Sequence, residues 1–240
     1  MIVHIGRRWK AMSVALFSAI ILAGLAGAWR LPMLAQIDLG ISRTLQRIRN
    51  PYLDSFMEIA TWLGAGLALP IVAFVVAAAL FRVGRRREAL AAALSVLSLL
   101  LNMLLKAVAN RPRPEEPVEV MTKVFGSSFP SGHSMGSAAV YGTIAALLWT
   151  LSGKKKTVLW LLLLPFFVGL SRIYLGAHWG YDVMAGWAAG ALCVVGVMDW
   201  LRGTASPKPK PEEIASAAAD PEVSISEKTL ESGEPVPPQT

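Results

Sequence analysis

Residues Pro130–Leu151 read PSGHSMGSAAVYGTIAALLWTL: a polar tetrad followed at once by an apolar run. The hydrocarbon core of a bilayer is about 30 Å thick and takes roughly 20 helical residues to cross. The run after His133 is close to that length, and its small residues Ser134, Gly136 and Ser137 suit close packing between membrane helices. Pro130, Ser131 and Gly132 suit a turn into that helix, whose first N–H groups lack partners and favour an anion. A plain helix start needs no histidine at its mouth, so His133 marks the turn as a candidate site.

The same reading extends outward in both directions. Apolar runs long enough to span recur near 11–29, 60–81, 89–109, 157–175 and 181–201, which with 134–151 predicts an all-α integral membrane bundle of six transmembrane helices. The composition agrees: 54% of the 240 residues are hydrophobic and the mean hydropathy is +0.51, which does not suit a water-facing globule. The first run also has the basic start and the Ala26-Gly27-Ala28 stretch of a cleaved secretory signal, so spanning and cleavage are both open. Between the first two runs, Ile37, Ile41, Leu45 and Ile48 recur at helical spacing, with Arg43, Gln46, Arg47 and Arg49 on other faces. This predicts a short extracytoplasmic interfacial helix ended by Pro51. Residues 1–203 therefore form the membrane domain. The Pro-, Ser- and Glu-rich residues 204–240, without apolar periodicity, are expected to be a disordered cytoplasmic tail.

Lysine and arginine set the orientation. Arg7, Arg8 and Lys10, then Arg82 and Arg85–Arg87, then Lys154–Lys156, then Arg202, Lys208 and Lys210 fall on one side of such a bundle. That side is predicted to be the cytoplasm, with both termini there, in a multi-pass protein of the inner (plasma) membrane. The net charge of +7 is accounted for by these loops, and no nucleic-acid-binding module is visible. Cys193 is the only cysteine, which excludes an internal disulfide and a thiolate metal cluster.

The opposite side collects the ionisable residues of three patches: Lys106 with Arg113-Pro114, Pro130-Ser131-Gly132-His133, and Ser171-Arg172 with His178 and Asp182. Each cation alone reads as an interfacial anchor. Together with two of the chain's three histidines, they read as a phosphate site. His178 and Asp182 are four apart, so on a helix start the carboxylate can hold one imidazole nitrogen and leave the other free to attack. Arg172 offers the bidentate geometry that suits phosphate oxygens. Glu115 and Glu116 read as loop solvation, so no carboxylate cluster for a metal stands near the patches.

These three patches resemble the three-part signature of the type 2 phosphatidic acid phosphatase superfamily, at every motif position and within a resemblance covering roughly residues 35–201. The resemblance implies His178 as nucleophile, Asp182 as its support and His133 as general acid. It further implies Lys106, Arg113, Ser131, Gly132 and Arg172 as ligands of the phosphate, with no metal and no cofactor. The implied reaction is metal-independent hydrolysis of a lipid phosphate or diphosphate at the extracytoplasmic face through a phosphohistidine. Undecaprenyl diphosphate is placed first, with a role in cell-wall biogenesis. Phosphatidylglycerophosphate, phosphatidic acid and lipid A phosphatase or phosphotransferase activities are alternatives, and a lipid or phosphate transporter is the alternative outside enzymes. The partners implied are the lipid phosphate and the bilayer; no residue reads the lipid tail, and the oligomeric state is open.

Overall fold

The computed structural model describes residues 30–203, apart from 116, 117, 123 and 154, together with scattered positions between 13 and 27. About half of the expected first span and the whole of the expected tail lie outside the described residues. Among the described residues from 30 to 203 there are eight helices: α1 Pro32–Arg47, α2 Pro51–Leu63, α3 Ala68–Arg82, α4 Arg86–Leu94, α5 Leu97–Ala109, α6 Gly132–Ser152, α7 Lys155–Tyr174 and α8 Gly180–Gly203. Among the described residues there is no strand. Among the described residues four helical stretches are long and apolar enough to cross a membrane: α4 and α5 taken together over Arg86–Ala109, α6, α7 and α8. The pair α2 and α3 makes a fifth if its two parts, bent by 55°, are one span.

The bend corrects the expected uninterrupted span over 60–81. Hydropathy sees four apolar residues at 64–67, whereas the chain turns there. Gly64 is pressed so closely against α7 that a Cβ would collide with Val168, and would also lie 3.4 Å from the Cβ of His133. Tyr141 of α6 donates to the carbonyl of Leu63 at 2.8 Å, giving the broken helix end a partner.

The stretch expected as an interfacial helix is helical, as α1, but its burial differs from that of a helix docked by its apolar stripe. Asp38 and Ser42 are its buried residues, while Ile37 and Ile41 are exposed. Nor does Pro51 end it. The chain leaves α1 at Arg47, and Asn50 then caps α2 by accepting from the N–H groups of Tyr52 and Leu53, with Pro51 at the first helical turn.

Helix α6 is the centre of the bundle, with buried residues from Ser134 to Leu147 on every face. Leu69 and Ala73 of α3 pack on Val140 and Tyr141, and Ala91 and Ala92 of α4 pack on Leu147 with Met198 of α8. Small residues bring α8 close: a Cβ on Gly186 or Gly190 would approach the α6 backbone to 2.7 Å or 2.6 Å. Because the spans alternate in direction, the C-terminal ends of α5 and α7 and the N-terminal ends of α6 and α8 share one end of the bundle. All three polar patches lie at that end.

Candidate active site

Helix α5 carries Lys106 in its last turn and stops at Asn110, whose φ of 45° turns the chain into the segment leading to α6. Within that segment the cations hold backbone. Lys106 Nζ donates to the carbonyl of Ser127 at 2.5 Å. Arg113 donates from Nε to Gly126 O at 3.0 Å, and through its terminal nitrogens to Ala177 O at 2.8 Å and Ser127 O at 3.3 Å. Burial lowers the Arg113 pKa from its ordinary value, partly opposed by Asp182.

Ser131 caps α6, and its backbone N–H donates to the carbonyl of Asp182 at 3.0 Å, tying the second patch to the third. Gly132 packs against Asn102, which holds the carbonyl of Pro130 at 3.2 Å. His133, one residue on, lies within electrostatic range of Arg172, His178, Lys106 and Arg113. Arg172 is almost wholly buried; one terminal nitrogen donates to the Thr61 hydroxyl at 2.6 Å, and Nε has no hydrogen-bond partner among the described residues.

His178 sits between α7 and α8, fixed by its N–H to the carbonyl of Arg172 at 3.1 Å. Its Nδ1 faces Asp182 Oδ2 at 3.5 Å, and Nε2 faces Arg113 at 3.3 Å. Burial lowers its pKa from 6.5 to about 4, and the Asp182 carboxylate offsets only part of this. The ring is therefore neutral near pH 7, with a lone pair for chemistry. Asp182 Oδ2 also accepts from Ser128 and from the Trp179 N–H at 2.9 Å, while Oδ1 accepts from Arg111 at 2.7 Å. Among the described residues no three His, Cys, Asp or Glu side chains converge as a metal site.

Every residue singled out from the sequence thus lies at one end of the bundle. Direct contacts join Arg113, His178 and Asp182, and Ser127 links Lys106 to Arg113. Thr61, Ser128, Arg111 and Asp38 were not among the site residues read from the sequence. Arg111 was legible only as a charge beside the first patch, and Thr61 and Ser128 carried no signal of their own.

Residues 87–204 match the PAP2 superfamily. Phosphatidylglycerophosphatase B of Bacillus subtilis is 35% identical over 190 residues, covering 77% of this chain and 91% of that protein. The chain belongs to the PAP2 superfamily. Solved structures of the superfamily agree. The crystal structure of a transmembrane PAP2-type phosphatidylglycerolphosphate phosphatase from Bacillus subtilis superposes with a TM-score of 0.72 at 32% identity, covering 83% of this chain and all of that one. Aquifex aeolicus LpxE gives 0.55 at 28% identity, covering 67% of this chain and 94% of that one. A PAP2 chain with these relatives is a phosphoric monoester hydrolase and a multi-pass membrane protein. The matched stretch contains all three patches and begins well after Asp38 and Thr61.

Proposed function

We propose that this PAP2 enzyme removes phosphate from a membrane lipid without a metal, through a phosphohistidine on His178. The observation that carries the reading is the two-sided setting of His178, with Nδ1 toward Asp182 and Nε2 toward Arg113. The Nε2 lone pair attacks phosphorus as the bond to the lipid oxygen breaks, and His133 gives that oxygen a proton. The new P–Nε2 bond leaves the imidazole positively charged, with its Nδ1 proton toward Asp182. Water then attacks phosphorus, passes a proton to His133, and breaks the P–N bond to release phosphate. Lys106, Arg113, Arg172, Ser131 and the N–H groups around Gly132 hold the equatorial oxygens as charge redistributes.

For substrate, the similarity to a phosphatidylglycerophosphatase puts phosphatidylglycerol phosphate ahead of the undecaprenyl diphosphate favoured by the sequence reading. Phosphatidic acid and lipid A follow. The extracytoplasmic face is supported by charge. Arg82, Arg85 and Arg86 at the α3–α4 turn, Lys155 at the start of α7 and Arg202 at the end of α8 all lie at the end of the bundle away from His178. The exposed Ile37 and Ile41 of α1 fit a helix lying in the outer interface.

The test uses purified protein in detergent with EDTA, assayed for inorganic phosphate on a panel of these lipids. Release from phosphatidylglycerol phosphate, a trapped acid-labile phosphoprotein, and loss of both in His178→Ala are expected. Activity abolished by EDTA and restored by magnesium would overturn the metal-independent reading. A transporter would release no phosphate at all.

A further inference from the structure

Arg111 is a second deeply buried cation of the site end, beside Arg172. Its side chain is buried, and its two terminal nitrogens go to two different carboxylates, Asp182 Oδ1 at 2.7 Å and Asp38 Oδ2 at 2.7 Å. Both carboxylates are essentially without solvent exposure. Asp38 comes from α1, outside the stretch that matches the superfamily, and reaches the first turn of α8, where its Oδ1 accepts from the Tyr181 N–H at 3.2 Å. Gly180 makes that approach possible, since a Cβ there would lie 2.9 Å from Asp38 Oδ1. Burial raises the Asp38 carboxyl above its ordinary range, opposed by Arg111 and the Tyr181 N–H. Both of its oxygens accept hydrogen bonds, one from a guanidinium and one at a helix N-terminus, and this pattern suits the ionised form.

Counting charge along the chain gives the consequence. Asp182 is the carboxylate beside His178, but Arg111 sits on its other oxygen and neutralises it. Were Arg111 the only neighbour, the pair would present no net charge to the imidazole. The ring of a phosphorylated imidazole, which carries a positive charge while its phosphoryl oxygens face Lys106, Arg113 and Arg172, would then gain little from Asp182. With Asp38 on the far side of the guanidinium, the group Asp38–Arg111–Asp182 carries one net negative charge, which matches the positive charge that the His178 ring acquires on phosphorylation. We propose that Asp38 is a positioning residue for catalysis, the second carboxylate that shares Arg111 and so leaves Asp182 with charge to balance the phosphorylated His178. The inference rests on His178 as the nucleophile. A purely structural alternative has Asp38 doing no more than docking α1 on α8.

The experiment measures turnover and rapid-quench phosphoenzyme formation in detergent on phosphatidylglycerol phosphate, for wild type, Asp38→Asn, Asp38→Asn with Arg111→Met, and Gly180→Ala. Asp38→Asn is expected to lower kcat and the phosphorylation rate on the order of tenfold, with KM changed less than about twofold. Removing Arg111 as well returns an unneutralised Asp182 and is expected to raise kcat severalfold above Asp38→Asn, a recovery that docking alone does not produce. Gly180→Ala displaces the carboxylate without removing it and is expected to show a smaller loss, also in kcat. The proposal is overturned if Asp38→Asn keeps the wild-type kcat, if its defect lies in KM, or if a folded double variant is no faster than Asp38→Asn. Should the Asp38 variants fail to melt cooperatively, Gly180→Ala decides, and an unchanged kcat there overturns the proposal. If the wild type traps no phosphoenzyme, the assignment of His178 fails instead, which keeps the two failures apart.

Discussion

Thr61→Val tests whether a residue outside the three patches sets the phosphate site. The Thr61 hydroxyl accepts from a terminal nitrogen of Arg172 at 2.6 Å, on a guanidinium that is 2% exposed and whose Nε has no partner among the described residues. Valine keeps the shape of threonine and removes the acceptor, leaving a second buried N–H of a cation unsatisfied. The cost of such a loss is about 1–3 kcal/mol. Spent wholly on transition-state binding, this corresponds to a fall in kcat/KM of roughly 5- to 150-fold. Spent on folding, it appears as a lower melting temperature in detergent, so both are measured on the same preparation. Thr61→Ser, which keeps the hydroxyl, is expected to retain most of the activity. A Thr61→Val enzyme within about twofold of wild type in kcat/KM, with an unchanged melting temperature, would refute the reasoning and make the contact incidental.

Three further outcomes are expected. Burial holds the His178 ring near a pKa of about 4, so the proposed nucleophile stays neutral as pH falls and protonates only near that value. Phosphoenzyme formation in a single-turnover burst is therefore expected to persist at pH 5.5, where an imidazole with its ordinary pKa would be roughly nine-tenths protonated, and an acid limb near 6.5 would contradict this. His133→Ala is expected to lose roughly 10²–10⁴-fold on a lipid phosphate but to recover part of its phosphoenzyme formation with a low-pKa leaving group, while His178→Ala recovers none. Trapping that survives in His178→Ala and disappears in His133→Ala would reverse the two roles. For orientation, Phe125 is 94% exposed in the segment that carries the cations. A cysteine there in a Cys193→Ala background is expected to react with an impermeant maleimide in intact cells, and labelling only after the cytoplasmic face is opened would place the site on the other side.

The sequence was most legible where one physical rule acts alone. Four of the expected spans, from 89–109 onward, match helices in the structure because a long apolar run in a bilayer has few alternatives to a helix. Their polar ends gave the patches, since a cation or a histidine at the edge of such a run calls for a reason. What the sequence did not disclose depends on contacts between distant residues. The break at Gly64 is set by Val168 and His133 on other helices, so a hydropathy window runs through it unchanged. Arg111 falls between the patch positions Lys106 and Arg113, and only its contacts with two carboxylates, at positions 38 and 182, make it part of the site.

Helix α1 shows why the direction of burial was the hardest property to read. In water an amphipathic helix turns its apolar stripe inward, and the spacing of Ile37, Ile41 and Leu45 invites that assignment. Where the surrounding solvent is lipid, apolar side chains gain little by leaving it, and the polar groups are the ones that need protein partners. Asp38 and Ser42 are therefore the buried pair, four residues apart on one face, and the isoleucines are left exposed. Leu45, further along the same stripe, packs against Met57, Tyr174 and Leu175, so the apolar stripe is split between the outside and the bundle. Asp38 could have been marked from sequence alone: a single carboxylate on a helix whose other charges are all arginines has its partner elsewhere in the fold, and here that partner is Arg111.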